Sequence, residues 1–163
     1  MDKIDYLFKS GKITRIVETE RDRYLNFFSY SYKENLKLSR HIQSDYPRWS
    51  IITGYYAMHD LAKLFLADKF SIKVELNVHK TVIDIFRALV KNIELEKLLD
   101  IGYKELIKLL NDLIAAKKDR TKAQYYTGTK FMKDKYKKEA KIFLNDTVMP
   151  FIDKIKMEKK NAY

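Results

Sequence analysis

The chain reads as an all-α protein, an up-and-down bundle of four to five helices forming one domain over residues 1–163. Three observations predict this. Only 4 Gly and 2 Pro occur in 163 residues, which leaves few tight turns and favours long helices with few connections. Apolar residues recur at helical spacing through most of the chain. The stretch Pro47 to Phe70 is apolar around well over half a helical circumference, as expected of an interior helix.

Taken in order, residues 2–9 (DKIDYLFK) form a short amphipathic turn before Gly11. Ile13 to Gln43 reads as one long helix, with Ile13, Ile16, Val17, Tyr24, Phe27, Phe28, Leu36 and Leu38 as its apolar stripe. Ser44–Asp45 ends it and offers a cap to the next helix. Pro47 opens that central helix, since its missing N–H would be unpaired in a first turn anyway. Trp49, Ile52, Tyr55, Tyr56, Met58, Leu61, Leu64 and Phe65 make it the core. Gly54 costs about 1 kcal/mol there against alanine. Beside Ala57 and Ala62, it is expected to admit a neighbouring helix closely.

Residues 71–77 (SIKVELN) have extended character, but a lone strand has nothing to pair with, so a loop is expected. A third helix runs from about Asn77 to Lys91, with Val82, Ile83, Phe86, Leu89 and Val90 inward. Asn92–Ile101 is a short helical turn ended by Gly102. The fourth helix runs from Tyr103 to about Tyr125 on Leu106, Ile107, Leu109, Leu110, Leu113 and Ile114. Thr127–Gly128 breaks it. A fifth extends from Lys130 to about Met157, with Phe131, Tyr136, Phe143, Phe151 and Ile155 inward and a kink at Pro150.

Cysteine is absent, which excludes disulfides, thiolate catalysis and thiolate metal sites. The charged first twenty residues carry no apolar signal-peptide core, and no run of about 18 apolar residues could span a bilayer. The expected location is the cytoplasm, with no membrane partner. Net charge is +11, and residues 101–163 supply 16 basic against 8 acidic side chains. Ten of those bases fall within residues 117–141, including Lys117, Lys118, Arg120 and Lys122. Such a field recruits polyanions, although a solvated lysine-rich face would leave the same sequence trace.

Candidate chemistry is sparse. Three histidines occur, His41, His59 and His79, with no His-x3-His or Glu-x-x-His pair, so no metal and no cofactor are expected. His59 and Asp60 are adjacent on a helix and point about 100° apart. His41 suits the negative end of a helix dipole. His79 lies at a loop end in a first helical turn, within reach of a ligand or bonded to a neighbouring backbone or carboxylate group. Arg120 sits late in the fourth helix, either completing its dipole or binding phosphate. Tyr125 and Tyr126 follow it, and aromatic faces among cations suit single-stranded nucleic acid.

Three segments, YYAMHDLAKLFL (Tyr55 to Leu66), NVHKTVIDIF (Asn77 to Phe86) and DRTKAQYY (Asp119 to Tyr126), taken in sequence resemble the HEPN family, the higher eukaryotes and prokaryotes nucleotide-binding domains. The likeness is to its stand-alone prokaryotic branch and covers about residues 13–157. It rests on Tyr55, Tyr56, Ala57, Met58, Ala62, Lys63, His79, Phe86, Arg120, Ala123 and Tyr125. The resemblance implies an up-and-down bundle that forms a homodimer and engages RNA or a nucleotide. It also implies metal-independent RNA cleavage, toxin activity and a small nucleotidyltransferase (MNT) antitoxin partner. An arginine would stabilise phosphate charge and a histidine would activate a ribose 2′-hydroxyl.

The family's histidine, separated from the arginine by four to six intervening residues, is replaced here by Tyr125, Tyr126 and Thr127. The family's histidine after YYAMF falls on Asp60, with His59 in the phenylalanine position. Gln124 replaces the aspartate of its A-D-Y segment. The implied catalytic set is therefore Arg120, His79 and Tyr125, with Lys117, Lys118, Lys122, Tyr126, His59 and Asp60 binding substrate. This requires folding to bring the cationic end of the fourth helix beside His79. The alternative is a non-catalytic helical module that binds an MNT-like partner.

Overall fold

A computed structural model describes residues 2–118 and 130–161. Its helices are α1 (Lys3–Lys9), α2 (Glu18–His41), α3 (Pro47–Phe70), α4 (Val78–Ile85), α5 (Ile93–Lys118), α6 (Lys130–Phe143) and α7 (Met149–Lys160). Two π-helical turns, Phe86–Val90 and Leu144–Val148, extend α4 and join α6 to α7. The chain is an all-α helical bundle with one small two-stranded sheet among the described residues.

Helix α3 has the bounds its sequence predicts. It buries Ile51, Tyr55, Met58, Ala62, Phe65 and Leu66 against helices on several sides. Gly54 marks a close approach: an added Cβ would stand 3.0 Å from Ser39 Oγ and 3.2 Å from Val148 Cγ2. Two fully buried serines complete that crossing of α2 on α3. Ser39 Oγ donates to the Ser50 carbonyl at 2.6 Å, and Ser50 Oγ donates to the Ser39 carbonyl at 2.7 Å. Small polar residues occupy the seam, and of the expected stripe α2 buries only Phe28, together with Tyr32 and Ser39. Phe27 is 62% and Leu38 46% exposed.

Residues 13–15 are not helical. Ile13–Arg15 (β1) pairs antiparallel with Ile72–Val74 (β2), in the register Ile13↔Val74, Thr14↔Lys73 and Arg15↔Ile72. The segment read as a loop is thus a strand, and its partner came from what looked like the start of the first helix. Gly11, at φ +68°, ends α1 and turns the chain into β1. Beside this clasp, Arg21 donates to the Ala67 and Asp68 carbonyls, and Arg15 to that of Phe70 at 2.7 Å. These guanidinium groups bond carbonyls of the last turn of α3, of which Ala67 also accepts from the Ser71 N–H.

Gly102 does not end a helix. Helix α5 runs through it, because the missing side chain admits Tyr55 and Met58, which would stand 3.1 and 3.3 Å from an added Cβ. The helix starts instead at Asn92, whose Oδ1 accepts from the Glu94 and Leu95 N–H groups. Before Pro150 the chain widens into the Leu144–Val148 π turn. Proline cannot donate to the preceding turn and its ring crowds the carbonyl there, so the wider turn lies where a kink was expected. No described helix is long and apolar enough to cross a membrane.

Candidate functional site

Tyr55 and His59 lie four residues apart on α3 and therefore share a face. That face meets the first turn of α4 and the first half of α5, which contribute His79 and Tyr103. Tyr55 Oη and His79 Nδ1 are 2.7 Å apart. The His79 ring stacks on Tyr103 with centroids 5.3 Å apart and planes 11° apart. His59 and His79 have centroids 4.7 Å apart, and Tyr56 packs edge-on to His79 at 6.3 Å. The result is a cluster of aromatic and imidazole rings, enclosed at His59 and half-open at His79.

Burial dominates its electrostatics. His59 is pushed down to about 3, first by burial, then by the Lys63 ammonium and by coupling to the neighbouring His79 imidazole. The His79 pKa is also lowered, by burial and then by Lys63. Both imidazoles are neutral at pH 7. Burial, followed by the neighbouring phenols of Tyr103 and Tyr56, raises the Tyr55 pKa, so Tyr55 keeps its proton. His59 Nε2 is buried with no hydrogen-bond partner among the described residues. When Tyr55 donates to Nδ1, His79 carries its proton on Nε2 and can donate to a phosphate or carbonyl oxygen. In the other tautomer Nδ1–H donates to Tyr55 and Nε2 is a free base.

Asp60 faces the other way. Its Oδ2 accepts from Ser31 Oγ at 2.6 Å and Asn35 Nδ2 at 3.1 Å, both on α2. Burial raises its pKa, opposed in part by the two hydrogen bonds and Lys63. Lys63, its own pKa lowered by burial, lies with its Nζ over the Phe28 ring at 4.9 Å. Asp60 is thus a satisfied polar residue of the α2–α3 seam and does not join the His79 cluster.

Of the residues named from sequence, His59 and His79 come together. Arg120, Lys122, Tyr125 and Tyr126 lie outside the described residues. Lys117 and Lys118 are described only as the end of the α5 backbone. From Tyr103 to Lys117, α5 rises about 21 Å at 1.5 Å per residue, so that end of the helix does not flank His79 within one chain. Sequence reasoning missed Tyr55 and Tyr103 as site residues. The four-residue spacing of Tyr55 and His59 was a signal for the first. Nothing local marks Tyr103, which reaches His79 only because Gly102 lets α5 close on α3. Among the described residues no group of three or more His, Asp or Glu side chains could hold a metal ion. No protein-family model matches the chain, and no curated protein or solved structure matches it.

Proposed function

We propose that the chain is a HEPN-type RNA- or nucleotide-binding protein that acts as a homodimer in the cytoplasm, with His79 as the acid–base group of a metal-independent ribonuclease toxin. The observation that carries this reading is the state of His79. It is neutral, anchored through Nδ1 by a phenol that keeps its proton, stacked on Tyr103, and without a described hydrogen-bond partner at Nε2. A ring so held can donate to a phosphate oxygen or take a proton from a ribose hydroxyl. Tyr56 and Tyr103 offer faces on which a base can stack. In this reading Arg120, Lys117, Lys118 and Lys122 supply positive charge for phosphate, and Tyr125 and Tyr126 supply rings for stacking.

A second reading has its own support. Ile107, Leu110 and Ile114 lie on one face of α5 at spacings of three and four and are 37%, 43% and 53% exposed. That stripe suits a protein partner, which makes the chain a non-catalytic module for an MNT-like nucleotidyltransferase antitoxin. Purified protein incubated with RNA in a chelator separates the two. Cleavage lost in His79→Ala, with RNA binding weakened in Arg120→Ala, supports the first reading. RNA binding indifferent to both substitutions, with no cleavage, leaves the second.

A further inference from the structure

Away from the His79 cluster, α2 and α7 both pack against α3 and leave a trough of about 630 Å³ between them. It is lined by Tyr32, Leu36, Lys33, Lys37, Arg40, His41 and Lys156. Lys33, Lys37 and Arg40 recur on one face of α2, roughly a turn apart, or about 5.4 Å along its axis. Lys156 joins the lining from α7. No lining residue is acidic, and none of these lysines nor Arg40 makes an ion pair among the described residues. Elsewhere Lys73, Arg87, Lys104, Lys108, Lys154 and Lys159 pair with carboxylates; what distinguishes the trough is that four cations share one concave lining with no acidic residue. Cations facing one another across a cleft without counter-charges repel, and an anion laid between them relieves that repulsion.

The basic surface continues past the end of α2. A second hollow, of about 500 Å³, is lined by Gln43, Ser44, Asp134, Lys137, Lys138 and Lys141. It begins two residues beyond His41, so the two hollows form a track over α7, the end of α2 and α6. A ligand with one phosphate would use a fraction of it. A chain of regularly spaced phosphates would use all of it.

We propose that this track binds the phosphodiester backbone of single-stranded RNA, with Lys37, Arg40 and Lys156 as phosphate contacts. This rests on the reading of the chain as RNA-binding and assigns that binding a surface separate from the His79 site. Contacts of this kind are sequence-independent and follow ionic strength, each lost phosphate contact on a single strand lowering the salt slope by about 0.7.

The test is fluorescence anisotropy of a labelled, unstructured oligoribonucleotide across a salt series. Lys37→Ala/Arg40→Ala is compared with Arg23→Ala/Lys97→Ala, which removes the same charge from exposed positions elsewhere. The expected result is a salt slope shallower by about 1.4 and roughly tenfold weaker binding for the first pair, with little change for the second. Equal losses in both pairs, or none in either, would overturn the track. So would a parent protein that binds phosphatidylserine vesicles but not RNA. Arg120→Ala and His79→Ala belong in the same assay. Weakened binding in those beside an intact track variant removes the track and spares the proposed function. A parent that binds no RNA removes both.

Discussion

The two flanks of α3 treat buried polarity in opposite ways. On the α2 side, Asp60 receives two hydrogen bonds and the Ser39 and Ser50 hydroxyls exchange bonds with each other's carbonyls. On the α4–α5 side, His59 is equally buried yet leaves Nε2 without a described partner, and His79 is only half covered. Burying a polar group is tolerable when it is bonded and costly when it is not. The first flank therefore has the character of a structural seam. The second holds polar atoms in reserve, which is what a site does.

Acid gives the largest expected contrast between the flanks. The folded His59 value of about 3 lies below the ordinary histidine value of about 6.5, so between them the unfolded chain binds the extra proton. The stability contributed by neutral His59 is complete above about 6.5 and falls as pH drops through that window. Between neutral pH and about pH 4.5 the loss is about 2–3 kcal/mol. Asp60 works in the opposite sense, because a raised carboxyl favours the folded state as pH falls. Denaturant unfolding of His59→Phe should show a flatter acid limb than the parent. An unchanged limb would mean that His59 is not the group being titrated.

Next in size is the seam. Asp60→Ala strips Ser31 and Asn35 of their acceptor and should cost about 2 kcal/mol at neutral pH, read as a shift in denaturation midpoint at constant slope. A neutral result would place water there in exchange and blur the distinction between the flanks. Tyr55→Phe is the smallest expected effect. It removes one hydrogen bond from a half-open ring, worth about 1 kcal/mol or less in stability. Its sharper consequence is for His79, whose imidazole NMR signals should report a changed tautomer balance. Unaltered signals would show that the phenol does not set the ring's protonation.

Much of the frame was legible along the chain. The long apolar run from Pro47 to Phe70 had a proline to open it and no competing partner pattern, and it folds as one helix with those bounds. Helix termini elsewhere were less legible. Ile13 to Arg15 carries a helical-looking apolar pattern, but it forms a strand because Ile72–Val74 needs a partner and Gly11 turns the chain towards it. Gly102 looked like a stop, since glycine often ends helices, whereas here its missing side chain is a contact surface. The candidate site shows the same division. His59 and His79 stood out as rare titratable residues, while Tyr103 and the counter-charge-free trough carried no local mark.

By itself, the sequence determined that the fold would be all-α, that Pro47–Phe70 would be its interior helix, and that the chain would carry strong positive charge. Those properties follow from composition and periodicity, which act over a few neighbouring residues. Only the tertiary structure decided that Tyr55, His59, His79 and Tyr103 share one cluster, and that Lys37 and Lys156 line one trough with no carboxylate in its lining. The physical reason is that burial, stacking and charge repulsion act between side chains far apart along the chain, and their outcome is set by which helices approach closely.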